Sequence, residues 1–179
     1  NMIKAVFCDF YGTLVHEYGP KSYEVVKRVF KSGNAESPDE VVGSWWKAFG
    51  RRMSVSYGDT YRSQCDLTLE SFQELLEQYH SGEDAVLLRD MMVEHWCNPP
   101  IYEESADFLK RLTYPLYLVS NCDNILIETA MKQYHLTADG IITSELAGCY
   151  KPRREIYLCA LEAAGVKADE VIYIGDSLN

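Results

Sequence analysis

Long apolar runs are missing from this chain: none approaches the roughly 18 residues a membrane-spanning helix needs, which excludes a helical membrane protein. Positive charge is also short. Seventeen Lys and Arg stand against 27 Asp and Glu, a net charge of −10, which excludes a broad nucleic-acid-binding face and leaves room only for a local basic pocket. The six cysteines are scattered, with no C-x-x-C pair and no histidine at zinc spacing, so a zinc module is excluded as well. They read as reduced thiols, and with no signal-peptide pattern the expected location is cytoplasmic. Two of them, Cys8 and Cys122, sit in or beside apolar strands, where thiols pack as small hydrophobes.

What is present suffices for a real core: 47% of 179 residues are apolar. Residues 3–7 form an apolar run that reads as a buried strand, closed by turn chemistry at Tyr11-Gly12-Thr13. The period then changes. "SYEVVKRVF" puts Val25, Val26 and Val29 on one helical face, "DEVVGSWWKAF" follows Pro38, and "TLESFQELLEQY" sets Leu69, Phe72, Leu75, Leu76 and Tyr79 at helical spacing. "EDAVLLRDMMVEHW" completes a block without a convincing strand, which Asn98-Pro99-Pro100 ends. Strand and helix patterns alternate after that: helix at "ESADFLKRL", strand at "LYLVS", helix over 125–134, strand at "GIIT", helix at "REIYLCALEAAG", strand at "VIYIG".

Alternation of this kind predicts an α/β fold with a Rossmann-like parallel sheet. The first strand can join that sheet only if the helical block is an insertion. The expected organisation is therefore a core of residues 1–16 and 98–179 interrupted by an all-helical cap of residues 17–97. The chain stops at "GDSLN", just past a strand, which reads as a core truncated at its C-terminus.

In an open α/β sheet, ligands bind beyond the carboxyl ends of the strands. The four predicted strand ends offer Asp9, Ser120-Asn121, Thr143-Ser144 with nearby Lys151, and Asp176-Ser177. Two carboxylates, several hydroxyls and a cation suit Mg²⁺ together with an oxyanion such as phosphate. In this order "DFYGT", "VSN", "YKP" and "GDS" resemble the four motifs of the haloacid dehalogenase superfamily, whose members also carry a helical cap after the first motif.

That resemblance implies roles residue by residue. Asp9 would be the nucleophile of a covalent aspartyl intermediate. Thr13 would support its loop, Ser120 and the backbone N–H of Asn121 would bind the substrate anion, and Lys151 would steady the nucleophile and the transferring group. Asp176, Asp9 and the backbone carbonyl of Tyr11 would hold Mg²⁺. A further aspartate, usual about five residues after the fourth-motif acid in phosphatases of the family, falls beyond the end of the chain.

The motifs disagree at Tyr11. Phosphatases of the family carry a second aspartate there as general acid and base, help worth roughly 10²–10⁴-fold, whereas the L-2-haloacid dehalogenases carry D-x-Y-G-T, because a departing halide needs no proton. Lys151-Pro152 followed by Tyr157 also looks like the dehalogenases, but Asp176 in "GDS" looks like the metal-dependent phosphatases. Two facing carboxylates without a cation would repel each other, so the fourth motif is given more weight. The expectation is a Mg²⁺-dependent phosphatase acting on a small phosphorylated metabolite, with no nucleic-acid or membrane partner and no signal for an oligomeric state. The alternatives are a metal-independent 2-haloacid dehalogenase using the same Asp9, and a non-catalytic phosphate-binding protein. His16 is a candidate substitute base. Trp45, Trp46 and Phe49 are expected to pack between cap helices or line the substrate entrance.

Overall fold

The computed structural model describes residues 2–175. Four short strands form one parallel sheet: β1 (Ala5–Cys8), β2 (Leu116–Ser120), β3 (Gly140–Thr143) and β4 (Val171–Ile174), in the order β3-β2-β1-β4. β1 is buried along its whole length, as expected of a parallel strand covered on both faces. Its side chains alternate between two cores. Val6 and Cys8 face Phe10, Leu118, Ile127, Ala130 and Met131, while Ala5 and Phe7 face Val119, Ile142, Ile156 and Ala160.

The first face is covered by α5 (Ser105–Arg111) and α6 (Asn124–Gln133), the second by α8 (Arg154–Ala164). The expected strands and helices are therefore all present. The sequence reading did not foresee a four-residue helix, α7 (Ser144–Ala147), directly after β3. The chain winds outward from β1 through β2 to β3 and returns to β1's other side as β4. The winding reverses between β1 and β4, the crevice where such sheets bind ligands.

Between β1 and α5 lie four helices: α1 (Pro20–Ser32), α2 (Pro38–Ser54), α3 (Gln64–Gln78) and α4 (Ala85–Cys97). Their starts follow from side-chain capping. Ser37, Ser63 and Asp84 accept from the N–H of Glu40, Asp66 and Val86, and Pro20 and Pro38 stand where a missing N–H is harmless. Val25 and Val29, Val41 and Ala48, Phe72, Leu75 and Leu76, and Leu88 and Met91 meet as a separate apolar cluster. The two connections to this block run side by side: Val15 pairs with Ile101, and His16 N–H donates to the Pro100 carbonyl at 2.7 Å.

Further bonds fix the helical block over the strand ends. The buried Asp123 carboxylate, just past β2, accepts from the N–H of Gln64 at 2.8 Å and of Cys65 at 3.1 Å, and Gln64 Oε1 accepts from Asp123 N–H at 2.9 Å. An anion at the first turn of α3 satisfies orphan donors and complements the helix dipole. Tyr150 hydroxyl donates to the Arg62 carbonyl at 2.8 Å, and Tyr57 pairs with Cys149. Replacing Asp123 with Ala leaves those two N–H groups unpaired, and urea denaturation is expected to show a loss of about 2–3 kcal/mol, with Asp123→Asn recovering part of it.

Candidate active site

Asp9 follows β1 directly, with its N–H donated to the Ile174 carbonyl of β4 at 2.9 Å and its side chain buried. The loop after it turns on Gly12, whose φ of 87° a side chain would strain. Thr13 N–H closes that turn on the Phe10 carbonyl at 3.2 Å. Its hydroxyl is buried and has no partner among the described residues.

Lys151 Nζ reaches Asp9 Oδ1 at 2.5 Å, the Val119 carbonyl at 2.8 Å and the Tyr173 hydroxyl at 3.0 Å. Three acceptors occupy the three donors of the ammonium. Side-chain exposures of 8% for Asp9 and 12% for Lys151 make this a desolvated pair. The lysine is held from its own backbone: Asn121 Oδ1 accepts from Lys151 N–H at 2.7 Å and Asn121 Nδ2 donates to its carbonyl at 3.3 Å. Asn121 is thus a positioning residue through its side chain, a role that the reading of its backbone N–H missed.

Two more residues went unread. Tyr173 on β4 donates its hydroxyl to Asp9 Oδ1 and packs edge-on against Tyr157 at 5.9 Å. Burial, then the Asp9 carboxylate, push that phenol above its ordinary range, so it is a donor at neutral pH. Gly175 stands opposite Asp9: a Cβ there would come within 2.6 Å of Asp9 Oδ2. Strand register explains both positions, because Phe7 pairs with Tyr173 and Cys8 with Ile174.

The structure corrects two strand-end expectations. Thr143 and Ser144 do not present their hydroxyls to an anion. Thr143 caps α7 by accepting from Leu146 N–H at 3.0 Å and bonds Asn124, while Ser144 donates to the Cys122 carbonyl at 3.2 Å. His16 stacks on Tyr102 at 3.8 Å and lies outside the lining of the site. Ser120 is buried at the carboxyl end of β2 and lines the site beside Asn121 and Lys151.

Tyr11 occupies the position of the missing acid, and its hydroxyl donates to the Trp96 carbonyl of α4 at 2.7 Å. Burial above all, with nearby acidic groups, raises its pKa well beyond a phenol's ordinary value. A phenol so placed neither gives up its proton nor accepts one at neutral pH, and so it ties the helical block to the site.

For Mg²⁺, the oxygens expected were those of Asp9, the Tyr11 backbone carbonyl and Asp176; Asp176 lies outside the described residues. Among the described residues no cluster of three or more His, Cys, Asp or Glu converges on one point. Because residue 175 has no Cβ, its backbone packs closely against Asp9 Oδ2. Of the expected oxygens, the Asp9 carboxylate is a hard donor of the kind a small divalent cation takes.

The site opens into a cavity of about 460 Å³ beneath the four helices. Asp9, Ser120, Asn121 and Lys151 form its floor, and valines and aromatic side chains of α1, α2 and α3 form its walls. Arg51, Arg52 and Arg62 pair with Glu74 and Glu70 instead of lining it.

A buried aspartate paired with lysine at the switch point of a parallel sheet, under an inserted helical block, places a charged site on a Rossmann-like core. The chain belongs to the haloacid dehalogenase-like hydrolases, whose family model matches residues 3–179. No curated protein sequence matches it. Among solved structures it is similar to the L-2-haloacid dehalogenase of Xanthobacter autotrophicus, at 22% identity and a TM-score of 0.74 over 96% of this chain and 69% of that one. It is also similar to the magnesium-bound HAD-hydrolase YfnB of Bacillus subtilis, at 17% identity and a TM-score of 0.74 over 99% and 81%. A structure described as a dehalogenase matches at 23% identity and a TM-score of 0.71 over 98% and 77%.

Removing the hydroxyl in Tyr11→Phe orphans the Trp96 carbonyl and is expected to lower stability by about 1–2 kcal/mol while turnover survives. Thermal unfolding beside a rate assay checks this. Lost turnover at unchanged stability would give the phenol a chemical role instead.

Proposed function

We propose that this protein is a Mg²⁺-assisted phosphatase for small phosphorylated molecules whose leaving group departs without a proton, such as aryl, enol or acyl phosphates. The observation that carries the reading is the Tyr11 hydroxyl's bond to the Trp96 carbonyl, which leaves the general-acid position without an acid. Residues 1–16 and 98–179 would be the hydrolase core and residues 17–97 the cap.

Asp9 attacks phosphorus, breaking the bond to the leaving oxygen and forming an aspartyl-phosphate that water then hydrolyses. Lys151 holds the Asp9 carboxylate in one orientation and, with Ser120 and the Asn121 N–H, faces the charge of the phosphoryl oxygens. Tyr173 fixes Asp9 Oδ1, leaving Oδ2 on the side of Gly175. Asp9, the Tyr11 carbonyl and Asp176 would hold the cation, which when bound neutralises phosphate charge. Asp176 follows Gly175, the residue packed on Oδ2, and the structurally similar Bacillus subtilis hydrolase is bound to magnesium; both support the metal reading.

A second reading has its own observation. The locked Tyr11 equally suits displacement of a halide from carbon, and several structural neighbours are L-2-haloacid dehalogenases. In that case Asp9 forms a carboxylic ester, and no metal is needed.

Release of p-nitrophenol from its phosphate is expected to require Mg²⁺, to stop with EDTA and to vanish in Asp9→Asn. Alkyl phosphates should be slower by about 10²–10⁴-fold, the worth of the absent acid. Metal-independent chloride release from L-2-chloropropionate would replace this reading with the second. Turnover of neither, with phosphate still bound, would leave a non-catalytic phosphate-binding protein.

A further inference from the structure

The polar groups around the cavity are distributed unevenly. Those at the floor face the reacting group, and several polar side chains higher in the wall already spend part of their bonding within the protein. Ser22 hydroxyl donates to the Gly19 carbonyl at 3.0 Å and accepts from its N–H at 2.9 Å. Gln64 Oε1 is bonded to Asp123 N–H, and Tyr18 hydroxyl accepts from Trp46 Nε1 at 2.7 Å. A sugar or polyol in this space would surrender water at many hydroxyls against a wall that is mostly apolar, which selects against it. Glu17 also stands in the wall, and its carboxylate disfavours a second anionic group on the ligand.

The remaining surface is apolar and largely aromatic. Trp45 stacks on Phe49 at 5.1 Å and on Phe72 at 4.5 Å, and Trp46 meets Phe49 edge-on at 6.4 Å. All three tryptophans of the chain line the cavity. At about 30 Å³ per water-sized atom, 460 Å³ holds a ligand of roughly ten to fifteen non-hydrogen atoms. The floor takes the anionic head, and a leaving group aligned opposite Asp9 projects into the aromatic chamber.

We infer that the substrate is amphipathic, an anionic head on an uncharged aromatic or alkyl body of about five to ten carbons, with that body seated against Trp45, Phe49 and Phe72. This deepens the proposed phosphatase and rests on it for the phosphate head, while the body is assigned by the chamber alone.

The test measures binding by calorimetry and tryptophan fluorescence, independently of turnover, to the wild-type protein with Mg²⁺. The probes are n-alkylphosphonates from methyl to octyl, 4-phenylbutylphosphonate, the phosphonate isostere of glucose 6-phosphate, and the matching n-alkanoates. Affinity is expected to rise about fourfold per methylene until the chamber is full, with the sugar phosphonate far weaker than hexylphosphonate. Trp45→Ala should flatten the rise while leaving methylphosphonate affinity unchanged. A rise among the alkanoates only, with no p-nitrophenyl phosphate turnover, would keep the amphipathic body and overturn the phosphatase. Affinity flat with chain length in both series, or a sugar phosphonate that binds tighter, would overturn the inference itself, whatever the turnover assay shows.

Discussion

The ion pair between Asp9 and Lys151 is the constraint on which the rest of this molecule depends. Burying two charges is unfavourable unless every remaining donor and acceptor finds a partner. Here the compensation is distributed across the sheet: the Val119 carbonyl comes from β2, the Tyr173 hydroxyl from β4, and the Asn121 amide holds the lysine backbone on both sides. The central position of β1 makes this possible, because both neighbours contribute to one ion pair. It also explains the residue following β4. Asp9 and position 175 face each other at the switch point, and any side chain there would displace the carboxylate that the lysine holds.

Tyr11 shows how one position can be given up by chemistry and taken over by architecture. An aspartate two residues after Asp9, as in the family's phosphatases, would need room to move a proton. The tyrosine instead spends its only donor on a carbonyl at the end of α4, drawing the helical block down over Asp9. Together with Asp123 at the start of α3, that makes two separate anchors from strand ends to helix ends. Neither anchor is an ion pair, so salt screening acts on them weakly. A block held in this way excludes water from the carboxylate, which strengthens every charge interaction around the reacting group.

Much of this was legible in the sequence because it lies in local patterns. The apolar run leading to Asp9, the 3.6-residue period from Val25 to Leu76 and the double proline each carry their meaning within a few residues. So do the four short motifs. Tyr173 was not legible, although it lies in a strand that was read correctly. Its approach to Asp9 depends on Phe7 pairing with Tyr173, and register is set by packing far along the chain. Once the register is known, the period of two places residues 173 and 175 on the face of Asp9. Thr143 and Ser144 failed for the opposite reason. Strand-end hydroxyls looked available until α7 began immediately behind them and took Thr143 as its cap, while Ser144 turned to the Cys122 carbonyl of the loop after β2.

The same reasoning separates what the core decides from what the helical block decides. The floor of the cavity is assembled from backbone-anchored groups whose positions follow from strand pairing, so it fixes the reaction and tolerates little variation. The walls belong to helices packed largely through side chains, and Ser22, Gln64 and Tyr18 already spend part of their bonding within the protein. Selectivity in such a chamber comes from shape and from the penalty on unpaired polar groups, since few hydrogen bonds remain to be offered. A Tyr11 hydroxyl already spent on a carbonyl and a wall that is mostly apolar bear on the proposed function in the same direction. Under that proposal both would favour a leaving group that is stable as an anion and comfortable without water, a combination that delocalised aromatic systems provide.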